Sequence, residues 1–204
     1  MDTLFPTDNA LDIPQLRVEL QAEGLDGPLV PWGTRRRGAP MRGTWHFYVD
    51  DYRFARLWER PELLVDTDAT AVVEPNWTVV DQTPMAVAIA LTYRKRWLAR
   101  WWQDRGLRVW VDLNVSLEHR ELNLLGVPAD WRAFATRGYE SRPEAILGDL
   151  EPVADRRPIV LVYGGGPKVR EIVERIGALH VPDDQSEVRD RTRRVLAGQL
   201  RGCM

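Results

Sequence analysis

Short apolar runs alternate with helix-forming stretches along most of this chain, and that order constrains the fold more than any other feature. "TWHFYV", "ATAVVEPNW", "LRVWVDLNV", "WRAFAT" and "PIVLVYGGG" read as strands, near 45–49, 70–74, 108–113, 131–135 and 158–163. "DDYRFARLWERPELL" reads as a turn and a short helix, Thr83 to about Arg105 as a long helix, and "RPEAILGDLEPV" and "KVREIVERIGA" as shorter ones. "LHV" offers one more short strand. Strands separated by helices build a parallel sheet covered by its own crossovers. Five or six strands fall short of the eight of a closed barrel, which usually needs about 250 residues. The expected fold is α/β: a mainly parallel sheet of five or six strands, open or incomplete and barrel-like, covered by helices.

Residues 1–44 read as an irregular N-terminal arm, because "GPLVPWGTRRRGAPMRG" is rich in Gly, Pro and Arg. Residues 45–182 form the expected core domain, and 183–204 a C-terminal helix. In the long helix, Thr83 is placed to cap, Pro84 to take the first helical position and Gly106 to stop it. Val87, Leu91, Leu98 and Trp102 form its core stripe, with Lys95 and Arg96 mostly on the other side. A single cysteine, Cys203, excludes a disulfide framework and a multi-cysteine zinc site. No apolar run reaches the roughly 20 residues of a membrane span, and the acidic start "MDTLFPTDNALDIP" lacks a signal-peptide pattern. A cytoplasmic protein without a membrane partner is expected. The net charge of −2 provides no global field for nucleic acid. Nine tryptophans are read mainly as core or cleft walls.

Side chains alternate along a strand, and three strands place polar groups on one face near their carboxyl ends. These are His46, Tyr48 and Asp50 in the first, Glu74 and Asn76 in the second, and Asp112 and Asn114 in the third. Ligands of parallel α/β sheets bind at that end. Asp50, Glu74 and Asp112 are therefore the candidate catalytic carboxylates, with Asn76 and Asn114 beside them. Tyr163, Gly164 and Gly165, with Lys168 just beyond, form the candidate second wall. The competing reading makes Asp50 or Asp51 a helix cap, Glu74 and Asp112 structural partners, and the glycines a simple turn. "GGGPK" lacks the spacing of known phosphate loops. His46, His119 and His180 stand at no metal-ligand spacing, and no Gly-x-Ser-x-Gly elbow occurs.

"WHFYVDDYRFARLWERP", the stretch from "VVEPNW" to "GLRVW", and "RGY" followed by "LEPVADRRPIVLVYGGG" resemble the uncharacterised family named domain of unknown function 4417. The resemblance covers roughly residues 45–166. It implies a mobile-element context in phages, plasmids and their hosts, and no settled activity. Where that family usually has Ser-Pro-Asp-Phe-Ser, this chain has Glu74-Pro75-Asn76-Trp77-Thr78, with the carboxylate before the proline. No catalytic residue is carried over.

Two function classes follow. In the first, the protein binds DNA, RNA or a nucleoprotein partner, phage or host, through Arg94, Arg96, Trp97, Arg100 and Trp101. Arginine clamps phosphate and tryptophan stacks on bases. Further basic stretches at Arg35-Arg36-Arg37 and at 189–194 add to that reading. In the second, the protein is a hydrolase or phosphodiesterase that uses the three carboxylates with Mg²⁺ or Mn²⁺.

Overall fold

A computed structural model of the protein describes residues 4–33 and 42–183. Arg35-Arg36-Arg37, the basic stretch at 189–194 and the expected terminal helix from 184 onward lie outside the described residues. Seven strands form one all-parallel sheet. They are β1 (Leu29–Pro31), β2 (Gly43–His46), β3 (Ala69–Val73), β4 (Arg108–Asp112), β5 (Ala133–Arg137), β6 (Ile159–Tyr163) and β7 (Leu179–Val181). Each pairs with the strand before it in the chain, which is the winding of a barrel, here nearly closed. The expected count of five or six strands is corrected to seven. The additional strand is β1, whose three residues lie in the Gly- and Pro-rich stretch read as an irregular arm.

The crossovers are unequal. Between β2 and β3 run two 3₁₀ turns (Asp51–Arg53 and Ala55–Trp58) and a single-turn helix, α1 (Glu62–Val65). The long helix α2 (Met85–Gln103) joins β3 to β4. A 3₁₀ turn (Leu117–His119) and α3 (Arg120–Asn123) lead to β5, and α4 (Ala145–Leu150) leads through another 3₁₀ turn to β6. Helix α5 (Pro167–Ile176) begins on its proline as the sequence implies, and Gly177 ends it at φ 67°. Pro84 precedes α2 rather than opening it, and the Thr83 hydroxyl accepts the Val80 N–H (2.9 Å), which shapes the preceding turn.

The two faces of the sheet follow from packing and register. Val160 and Val162 of β6 pack with Ile146 of α4 and with Val169 and Val173 of α5, which makes theirs the helix-covered outer face. Leu161 and Tyr163 alternate with them onto the inner face. Register pairs Arg137 with Tyr163 and Asp112 with Ala135, itself paired with Leu161. Asp112, Arg137 and Tyr163 therefore share the inner face. Six tryptophans (45, 77, 97, 102, 110 and 131) are buried, in keeping with a packing role.

Helix α2 departs from its expected faces. Lys95 to Ala99 are buried without interruption, while Val87 is exposed. The assignment of Lys95 and Arg96 to a solvent side is corrected, and the reason is a second layer. Phe5 and Trp58 both pack on Trp97, with ring centroids 5.6 and 5.5 Å away. Gln103 exchanges two hydrogen bonds of 2.8 Å with the Arg17 backbone, and the Ala22 N–H donates to the Val109 carbonyl (2.9 Å). The stretch read as an arm thus lies packed over the C-terminal half of α2 and the start of β4.

Candidate functional site: the mouth of the sheet

The strand that ends in Glu74-Pro75-Asn76 explains itself through register. Val73 pairs with Trp110, so Glu74 stands level with Val111 and one step short of Asp112. Neighbours along a strand leave opposite faces, so the Glu74 and Asp112 side chains diverge. Glu74 Oε1 pairs with Arg96 Nη1, and both side chains are fully buried. Its Oε2 accepts the Asp112 N–H (3.3 Å), continuing the ladder with a side chain where Pro75 turns the backbone away. Arg96 also donates to the carbonyls of Leu125 and Asn123. Hydrogen bonds on the remaining guanidinium protons are what a buried pair needs to offset its desolvation.

Asp112 does different work. Its Oδ1 accepts the Tyr48 hydroxyl (3.0 Å) and the Asn114 N–H (3.2 Å), and its Oδ2 faces Lys95 Nζ at 3.4 Å. Asn123 donates to its carbonyl (2.9 Å). In the amide orientation that satisfies its neighbours, Asn76 donates to Asp112 Oδ2 (3.2 Å) and accepts from Asn114 Nδ2 (3.1 Å). One buried carboxylate therefore ties together the ends of β2, β3 and β4 and the middle of α2. Burial, and then the Asp112 charge, push the Tyr48 phenol up, so it stays a hydrogen-bond donor. Tyr48 stacks on Tyr163 at 5.6 Å and 5°, and the His46 ring lies 4.2 Å from Tyr163. His46 Nδ1 accepts the Tyr48 N–H (3.2 Å). Burial first, with the Arg137 charge second, pulls His46 down to about 3.

Above this layer, at the carboxyl ends of the strands, opens a polar cleft of 480 Å³. It is lined by Tyr48, Val49, Asp50, Asp51, Arg53, Asn76, Thr78, Arg137 and Tyr139. Asp51 accepts both the backbone N–H (3.1 Å) and the hydroxyl (3.2 Å) of Thr78, so it braces the cleft and caps no helix. Asp50 lies 3.7 Å from Arg53, with both side chains largely exposed. Just behind the inner face, Thr136 donates to Asp149. Burial raises Asp149 to about 7; the Thr136 hydrogen bond opposes the rise and the Asp112 charge adds to it.

Of the residues proposed from sequence, Asp50 and Asn76 line the cleft, Asn114 supports Asn76, and Asp112 lies beneath through Tyr48. Glu74 points away to α2, so the three carboxylates do not converge. Among the described residues, no group of three or more His, Cys, Asp or Glu could hold a metal ion. Tyr163 supports the floor by stacking. Gly164 and Gly165 make a turn at φ 87° and 76°; a Cβ on Gly165 would meet Val169 at 2.4 Å. The N–H groups of Gly166 and Lys168 are taken by the Glu140 carboxylate (3.0 and 3.4 Å), and Lys168 does not line the cleft. The Arg/Trp set does not form one stripe either. Arg94 is exposed over Trp58 (5.3 Å), whereas Arg96 and Trp97 are buried. Arg100 pairs with Asp104 and covers Phe5, and Trp101 lies under Arg105.

Together these features define an all-parallel, barrel-like α/β protein with a polar cleft at the carboxyl mouth of its sheet. The chain belongs to the family described as Domain of unknown function (DUF4417), which matches residues 5–171. The Gene 1 protein of Mycobacterium phage D29 is 34% identical over 110 residues, or 52% of this chain and 40% of that protein. The Gene 1 protein of Mycobacterium phage L5 is 32% identical over 110 residues, 52% of this chain and 47% of that protein. The chain thus spans less than half the length of these curated relatives. No solved structure matches. The family is phage-associated, as the resemblance implied. Among the described residues no helix is long and apolar enough to cross a membrane.

Proposed function

We propose that this phage-family protein works through the mouth cleft, as a binding or catalytic site for a small polar molecule. The observation that carries this reading is Asp112. A buried carboxylate with several donors fixes the ends of three strands directly under a cleft of 480 Å³. That volume lies in the range of small-molecule sites, roughly 300–1,000 Å³. The position agrees with the general placement of sites at the carboxyl ends of parallel strands. Polar side chains supply the chemistry in this proposal, since Glu74 serves α2 and leaves no carboxylate trio for Mg²⁺ or Mn²⁺. The competing reading, nucleic-acid binding along α2, draws on Arg94 as its solvent-facing arginine.

The test is a thermal-shift and NMR titration of the full chain with nucleotides, phosphorylated sugars, small carboxylic acids and short DNA. Cleft binding predicts perturbed resonances at Asn76, Thr78 and Tyr139, lost in Asn76→Ala. Salt-dependent DNA binding that ignores Asn76→Ala and falls in Arg94→Ala would establish the surface reading instead.

A further inference from the structure

The cleft has one chemically distinct wall. Arg137, the last residue of β5, points onto the inner face and is half-buried. Its guanidinium stands 5.2 Å from the centre of the Tyr139 ring, and the Arg142 guanidinium stands 4.5 Å from the same ring. Among the described residues, neither arginine has a carboxylate oxygen within ion-pair distance. The acids nearest in the lining are already engaged: Asp51 holds Thr78 by two hydrogen bonds, and Asp50 faces Arg53. Deeper acids are engaged as well, Asp112 by Tyr48 and Lys95 and Glu74 by Arg96. The Arg137 charge is felt at His46, where, after burial, it helps keep the imidazole neutral.

A half-buried guanidinium gives up part of its hydration, and in most folds a carboxylate replaces that hydration. Here one arginine of the lining, Arg137, rests on a tyrosine that the exposed Arg142 also touches; Arg142 acts electrostatically on Asp149, whereas Arg137 has no carboxylate at ion-pair distance among the described residues and faces a cavity large enough for a ligand. Resting on the small-molecule reading above, we propose that this wall is an oxyanion subsite: Arg137, supported by Tyr139 and Arg142, receives the phosphate or carboxylate group of the cleft ligand. Arginine suits that role because its planar fork matches both groups bidentately. The lining also holds the Asp50 carboxylate, 3.7 Å from Arg53.

The experiment titrates the full chain with inorganic phosphate and, separately, with acetate, against chloride at matched ionic strength. The readouts are the melting temperature and the Arg137 Nε–H resonance. The expected result is a saturable shift of that resonance with phosphate, acetate or both, with the stronger of the two naming the class of anion. Arg137→Gln should weaken binding about tenfold or more, the scale of a lost charged hydrogen bond. Arg137→Lys should retain part of the affinity, and Arg94→Gln, remote on α2, should retain all of it. The proposal is overturned if neither anion differs from chloride, or if Arg137→Gln binds as the parent chain does. A cleft ligand that perturbs Asn76 and Tyr139 yet tolerates Arg137→Gln would overturn this inference while leaving the small-molecule reading in place. DNA binding at Arg94 with a silent cleft would remove both.

Discussion

Two acidic residues end adjacent strands, each buried and each paired with a cation from consecutive positions of one helix. Their roles nonetheless differ. Glu74 meets Arg96 on the helix-covered side, sealed from the cleft and braced by the carbonyls of Leu125 and Asn123. Asp112 meets Lys95 at a longer distance and spends most of its acceptor capacity on Tyr48, Asn114 and Asn76, the groups that shape the cleft. A single residue of register separates them. Residue type and strand-end position alone do not make a site. The face on which the side chain leaves the sheet decides whether a buried acid joins a helix or organises a mouth.

Glu74→Gln should have the largest effect on stability. Arginine cannot shed its charge, so Arg96 would remain a buried cation without its counter-charge. The expected loss is about 3–5 kcal/mol, read as a lower urea midpoint. Asp112→Asn should do less, about 1–3 kcal/mol, because Asn keeps an acceptor oxygen for the groups that donate to Asp112. It should, however, abolish cleft binding, which Glu74→Gln at a temperature where it stays folded should not. Equal losses of stability and equal losses of binding in the two variants would erase the distinction.

A pH scan sharpens the same contrast. His46 is pulled down to about 3, so the unfolded chain binds more protons between pH 3 and the unfolded value near 6.5. Stability from this group is therefore complete above about 6.5 and is lost as pH falls toward 3. Asp149 is raised to about 7, so the folded state binds more protons between about 4 and 7, and stability is lost as pH rises through that window. The two slopes oppose each other from about 4 to 6.5, each up to about 1.4 kcal/mol per pH unit. Asp149→Asn should remove the second and expose the first. The variant should be more stable than the parent at pH 7 and should lose stability steadily on acidification, as denaturant titrations at each pH would report. The smallest effect is expected for Arg94→Ala. Its guanidinium rests on Trp58 at the surface, and its removal should leave the melting temperature almost unchanged.

Much of the fold was legible because strand and helix periods are local properties. The strands at 69–73, 108–112 and 159–163 and the long helix fall within a few residues of their expected limits. β1 was not legible, since three residues ending in proline carry no alternation to detect. In the site, Asp50 and Asn76 line the cleft from the loops beyond β2 and β3, where alternation no longer holds: Glu74, expected on the face of Asn76, points the other way. Arg137 and Tyr139 were missed for a definite reason. "WRAFAT" suggested a strand starting at 131 and stopping by 135, whereas β5 runs from 133 to 137, and its last residue carries the guanidinium. The burial of Arg96 was not readable from α2 itself. The groups that enclose it, the Glu74 carboxylate and the carbonyls of Leu125 and Asn123, come from other elements, and no periodicity within one helix reports such partners.

The packing of residues 17–22 has a consequence for assembly. Each strand of the sheet pairs with its predecessor in the chain, so the sheet can accrete one hairpin-free unit at a time as the polypeptide lengthens. Residues 17–22 do not follow that rule. Arg17 is held by Gln103, Ala22 by Val109, and the Gln21 side chain by the Arg132 N–H, 111 positions away. The partners of this segment emerge long after it does, and its closure entropy is met only once β4 and the approach to β5 exist. The segment is a seam: its contacts close loops of about 85 to 111 residues, so its fastening carries the entropy of long-range closure.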